Sequence, residues 1–107
     1  MPSYPIVGNN YRPIEAQVAF RNLRDGDELF LKRDPHNQFD PNAVEVHTAE
    51  HFIGFIPKNM NEALAEHLDA GYRPDICIAE GGKVFVVFEQ EEEEVDPDEY
   101  SDLDEDE

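Results

Sequence analysis

Cysteine is almost missing from this chain. Cys77 is the only one in 107 residues, so no disulfide can form within the chain. Flanked by Ile76 and Ile78, it reads as a small buried hydrophobe. A reduced, intracellular and cytoplasmic setting is expected. Long apolar runs are missing too. The longest, Val84 to Phe88, falls far short of the about 20 residues that a membrane-spanning helix needs. Met1-Pro2-Ser3-Tyr4-Pro5 contains no basic residue and leads into no apolar run. No signal peptide and no membrane partner are therefore expected, and the protein should be soluble.

Catalytic inventory is equally thin. The two serines, Ser3 and Ser101, stand in expected loose ends, and no nucleophile is paired with a base. No glycine-rich phosphate loop is present. His36, His47, His51 and His67 include one pair four apart, His47 and His51, but on an expected turn and not on one helix face. There is no second cysteine and no His-Glu-x-x-His pattern, so no metal site is expected. These absences argue against an enzyme, a cofactor or a small-molecule substrate.

Basic residues are scarce, and their distribution matters more than their number. The chain has 8 Lys and Arg against 26 Asp and Glu, a net charge of −18. Residues 89–107 hold 13 of the acids and no base. The first 88 residues hold 13 acids and 8 bases, a net of −5. A block of like charge repels itself and cannot bury apolar surface. Residues 91–107 therefore read as a disordered acidic tail, and residues 1–90 as one folded domain. No basic stripe appears in the domain, which counts against strong non-specific duplex binding.

The domain reads as mainly β. Pro5-Ile6-Val7-Gly8 is an opening strand or a loop leading into one. Ile14 to Arg21 alternates around Val18 and Phe20, which predicts a strand. Arg24-Asp25-Gly26-Asp27 is a turn. Leu29 to Arg33 predicts the next strand, and Asp34 to Asn42 a structured loop. Ala43 to His47 predicts a strand with Val44 and Val46 inward. Phe52 to Ile56 predicts another, in which Gly54 suggests a bulge or the close approach of another backbone. One helix is predicted over about 59–70, capped by Asn59 and closed by Gly71, with Met60, Ala63, Leu64, His67 and Leu68 on one face. Residues 73–80 and 83–89 predict a hairpin turning at Gly81-Gly82. The second of these strands is apolar on both faces and so should be central. The sum is a small, six-stranded, partly open β-barrel of OB-like or SH3-like type with one clear helix.

Three stretches in order resemble the HIRAN domain family over roughly residues 5–88. The first is Ile6-Val7-Gly8-Asn9-Asn10-Tyr11-Arg12. The second and longest runs from Leu31-Lys32-Arg33-Asp34-Pro35 through His36-Asn37-Gln38-Phe39-Asp40 to Pro41-Asn42-Ala43-Val44-Glu45-Val46. The third is Ile53-Gly54-Phe55-Ile56-Pro57-Lys58, followed by a helix ending in Leu68-Asp69-Ala70-Gly71. The resemblance implies an OB-like barrel, here free-standing, that binds single-stranded DNA at its 3′-hydroxyl end. Carried over by position, Tyr11 would stack on a base near that end. Phe39 would line the pocket for the terminal nucleotide. Asp40 would accept a hydrogen bond from the 3′-hydroxyl and repel a 3′-phosphate. Lys58 would contact a backbone phosphate. The chain departs from the family's pattern at Asn10, often basic, at Arg12, often aromatic, and at Phe39, commonly Tyr. The first two imply either that basic and aromatic roles are exchanged between neighbours or that the DNA site is weakened.

Each of these residues also has a plainer reading. Tyr11 and Phe39 could be core or loop anchors. Asn37, Asp40 and Asn42 could cap their own loop. Arg33 and Asp34 read as an ion pair at a strand end, and Lys58 as a solvated lysine. Two functions stay open. One is a non-catalytic module for single-stranded DNA ends. The other is an acidic interaction protein, or DNA mimic, engaging a basic partner such as a nuclease or repair factor.

Overall fold

The computed structural model describes residues 3–88; the acidic run assigned above to a disordered tail, and the boundary at residue 90, lie outside them. The strands are β1 (Ser3–Pro5), β2 (Phe30–Arg33), β3 (Val44–His47), β4 (Phe52–Phe55), β5 (Ile76–Glu80) and β6 (Lys83–Val87). They form two antiparallel three-stranded sheets, ordered β1-β6-β5 and β2-β3-β4. Single bridges join the sheets at both seams, Val7 to Phe55 and Glu28 to Ile78. The result is a partly open barrel whose edges are mostly covered. β6 is the central strand of its sheet, as its apolar run predicts.

Alternation sets the inside of the barrel. Val44, Val46, Ile53 and Val84 are fully buried, and Leu29, Ile56, Ala79 and Val86 are buried beside them. Gly54 is required at the first seam. A Cβ there would lie 2.7 Å from the Val7 carbonyl oxygen and 2.7 Å from Ile6 Cγ2. That is the close backbone approach its position in a strand suggests. The β5–β6 turn uses Gly81 and Gly82 at φ 61° and 78°, the pair of positive angles a tight hairpin needs.

The segment predicted as a first strand, Ile14 to Arg21, is instead a helix, α1 (Ile14–Arg21). The sixth strand of the barrel comes from Ser3–Pro5. Val18 and Phe20 suggested a period of two, yet Val18 is 41% exposed. The inward residues are Ala16, Ala19, Phe20 and Leu23, a helical spacing. Pro13 precedes the first turn, Glu15 lies in it and Arg21 lies in the last, all favourable for a helix.

The second helix is shorter than predicted. Lys58–Met60 is a 3₁₀ turn, and α2 runs over Glu62–Asp69. Asn61, not Asn59, occupies the N-cap position, and Ala65 joins Leu64 in the core while Met60 is 40% exposed. Gly71 closes α2 as expected: its N–H donates to Leu68 O at 3.1 Å and Tyr72 N–H to His67 O at 3.1 Å, a Schellman pair. Among the described residues no helix is long and apolar enough to cross a membrane.

Candidate nucleic-acid interface

The β2–β3 loop is built before it can bind anything. Arg33, at the end of β2, donates from Nη1 to Ala43 O at 2.8 Å and from Nη2 to Pro41 O at 3.0 Å. Its Nε and Nη2 also reach Asp69 at the end of α2, at 2.9 and 3.2 Å. The ion pair expected with Asp34 is therefore made with Asp69, because the guanidinium turns inward to the loop carbonyls and α2 supplies the acid behind them. Asp69 is held below its usual carboxylate range mainly by that hydrogen bond, which outweighs an opposing desolvation, with the Arg33 charge adding a lesser pull in the same direction.

Asn37 caps the loop as its plain reading holds. Its Oδ1 accepts from the N–H of Phe39 at 2.9 Å and of Asp40 at 3.1 Å, and its Nδ2 donates to Asp34 at 3.2 Å. Asn42 contributes a backbone N–H, which donates to Asp40 Oδ1 at 3.0 Å, and no side-chain bond among the described residues. The other Asp40 oxygen accepts from Asn61 Nδ2 at 2.8 Å. Asn61 is only 1% exposed. Asp40 thus caps its loop and is also fixed from outside it, with one donor on each oxygen. A carboxylate has about four acceptor sites, so capacity for a further donor remains.

Phe39, Asp40 and Lys58 meet in one open cleft of about 330 Å³, together with Val7, Asn37, Ala43, Phe55 and Ile56. The floor is apolar and the rim polar, the usual build of a ligand site. Phe39 is 79% exposed, so it is no core anchor. Lys58 is exposed and makes only a long contact, Nζ to Phe39 O at 3.4 Å. Its ammonium keeps donors for a phosphate.

Asn10, Tyr11 and Arg12 do not line the cleft but sit on the turn beside it. Asn9–Tyr11 is a 3₁₀ turn after Gly8, which adopts φ 76° and packs on the Phe55 ring of the cleft. Gln17 of α1 ties this turn down, donating from Nε2 to Arg12 O at 2.8 Å and Asn10 O at 3.3 Å. Tyr11 is 90% exposed. An aromatic so exposed contributes nothing to the core and leaves its ring face open to solvent. Arg12 lies over the Phe52 ring, 3.8 Å from its centroid, and donates from Nε to Phe52 O at 2.9 Å. Its terminal nitrogens have no hydrogen-bond partner among the described residues.

Sequence reasoning missed Asn61 and Gln17, the side chains that fix Asp40 and the Tyr11 turn. Asn61 carried a signal, a polar residue opening a helix, but Asn59 competed with it. Among the described residues no group of three or more His, Cys, Asp or Glu could hold a metal.

Comparison with known proteins agrees with this architecture. A family profile described as the HIRAN domain matches residues 2–96. The chain is 35% identical over 54 residues to a "Fanconi-associated nuclease 1 homolog" from Oryza sativa subsp. japonica, a match covering 47% of this chain and 6% of that relative. Among solved structures, a crystal structure of a protein from Lactobacillus plantarum superposes with a TM-score of 0.66 at 26% identity, covering 80% of this chain and 87% of that one. The chain belongs to the HIRAN domain family, whose members bind DNA.

Proposed function

We propose that the protein is a non-catalytic module that binds single-stranded DNA at its 3′-hydroxyl end. The observation that carries this reading is the convergence of Phe39, Asp40 and Lys58 in the cleft. The terminal sugar and base would enter against Phe39, Phe55 and Val7. The 3′-hydroxyl would donate to Asp40, and Lys58 would meet the preceding phosphate. Tyr11, on its own tethered turn next to Phe55, would take a base further along the strand, a stack worth about 1–3 kcal/mol and indifferent to sequence. Asp40 supplies selectivity, since a carboxylate accepts from a hydroxyl and repels a phosphate. Titrating the full chain with one labelled strand, linear and circularised, tests the reading. The linear form should bind more tightly than the circle; equal binding of the circle would overturn it.

The second reading, an acidic interaction protein or DNA mimic for a basic partner, is favoured by one observation, the 13 acids of residues 89–107. A chain ending at residue 88 separates the two. If the acids compete with DNA for Arg12 and Lys58, the shorter chain should bind single strands more tightly, most of all at low salt. If they are themselves the ligand, the shorter chain loses its basic partner and binds no DNA.

A further inference from the structure

Outward faces of antiparallel sheets are usually polar, yet the outward face of β2-β3-β4 is largely aromatic. Register places Phe30 of β2 opposite His47 of β3, and His47 opposite Phe52 of β4. Cross-strand partners share a face. The His47 and Phe52 rings stack at 4.9 Å with 16° between planes, and Phe52 meets Phe55 edge to face at 5.2 Å. Phe55 lines the cleft. Phe55, Phe52 and His47 are thus in ring contact, and register continues the row to Phe30 at the far edge of the sheet. At that edge a shallow depression is lined by Phe30, Lys32, His47, Thr48 and Ala49. Phe30 is 43% exposed there.

Charge on this face differs from that of the rest of the domain. Arg12 stands over Phe52 and Lys32 is exposed on β2. The acid among them is Glu45, which faces Lys32 across the strands and lies 2.8 Å from His47 Nε2. In a domain whose first 88 residues carry −5, a face with two cations against one acid is a local exception. Aromatic planes with interleaved cations and no deep pocket fit successive bases and phosphates of a flexible strand.

We infer that this row is a second nucleic-acid subsite, which carries a single strand onward from the cleft across β4, β3 and β2. The bases rest on His47 and Phe30, and phosphates pair with Arg12 and Lys32. This rests on the placement of the 3′ end in the cleft, which fixes where the strand begins.

The test uses the full chain and labelled oligothymidylates of three and ten nucleotides, each with a 3′-hydroxyl or a 3′-phosphate. The ten-mer should bind about tenfold or more tightly than the three-mer, since one added stack is worth a factor of five or more. Phe30→Ala and Lys32→Gln should remove most of that gain and leave three-mer binding unchanged. Lys32→Gln should also lower the salt slope for the ten-mer by about 0.7. Both positions are exposed, so an unchanged melting temperature confirms the fold. No length gain, or variants that bind the ten-mer like the parent, would overturn the subsite. So would a dimer that Phe30→Ala dissociates and DNA does not, because another protein surface would then own this face. Loss of the 3′-hydroxyl preference with the length gain intact would overturn the cleft reading and leave the subsite standing.

Discussion

Asn61, buried at the start of α2, donates its side-chain amide to Asp40 Oδ2 at 2.8 Å across 21 residues of chain. This bond ties the β2–β3 loop to the start of α2. Removing the donor leaves a half-buried carboxylate oxygen short of a partner, a loss of about 1–3 kcal/mol. Asn61→Leu should lower the urea midpoint accordingly. It should also narrow the preference for 3′-hydroxyl over 3′-phosphate strands, because Asp40 can then turn away. An unchanged midpoint would mean that the bond contributes nothing.

Gly54→Ala should be among the costliest single-methyl changes in the domain. The added carbon would press on a backbone carbonyl and a core isoleucine at 2.7 Å. Overpacking of this kind typically costs about 1–3 kcal/mol, and here it also pushes apart the paired Val7 and Phe55 backbones. Amide exchange should speed up at Val7 and Phe55 more than at β5 and β6. Uniform exchange would contradict a seam held by this contact.

Leu64 is 3% exposed and belongs to the core on the inner face of α2. Leu64→Ala should cost about 2–5 kcal/mol by denaturant melt. A near-neutral result would mean that α2 does not pack on the barrel.

The barrel was readable from sequence because its strands obey simple rules. Val44 and Val46 alternate inward, Gly81-Gly82 marks its hairpin and Gly71 closes its helix. α1 was not readable. Two of its inward residues, Ala16 and Ala19, are small and weakly apolar, while Ile14 at 63% and Val18 at 41% exposure supply a misleading apolar signal. The site was half legible. Phe39, Asp40 and Lys58 lie on motif segments, so their meeting could be expected. The fixation of Asp40 by Asn61 could not, because a bond between residues 40 and 61 depends on how α2 docks. Arg12 likewise gave no hint that it would lie on Phe52.

Cys77 should be nearly inert. Burial, with Glu28 adding to it, pushes its thiol up to about 12. At pH 8 the thiolate is then roughly a thousandfold scarcer than for a free thiol. A thiol reagent should label the folded protein very slowly and the urea-unfolded protein at the ordinary rate. The sign for stability follows: folding favours the protonated thiol, so this contribution is whole below about pH 9 and is lost as pH rises towards 12. Rapid labelling of the native state would place Cys77 outside the core.

Arg33→Lys should loosen the β2–β3 loop, since a lysine cannot reach Ala43 O, Pro41 O and Asp69 together. The expected cost is about 1–2 kcal/mol, with weaker strand binding. Asp69→Asn should cost far less, because that carboxylate is exposed and screened. The lowered value of Asp69 fixes the pH sense. The pair is whole above the ordinary carboxylate range and is lost as pH falls through the lowered value. Following the Asp69 carboxyl by NMR titration checks both points.

The central claim is that Asp40 receives a 3′-hydroxyl. The most direct measurement is the affinity ratio between a strand ending in 3′-hydroxyl and the same strand ending in 3′-phosphate, for the parent chain and for Asp40→Ala. The parent should favour the hydroxyl by tenfold or more, roughly the 1–3 kcal/mol that an unmatched polar group costs. In Asp40→Ala the ratio should fall to near one, since acceptor and repelling charge both go. A parent ratio of one, or a ratio that survives Asp40→Ala in a folded protein, would contradict it.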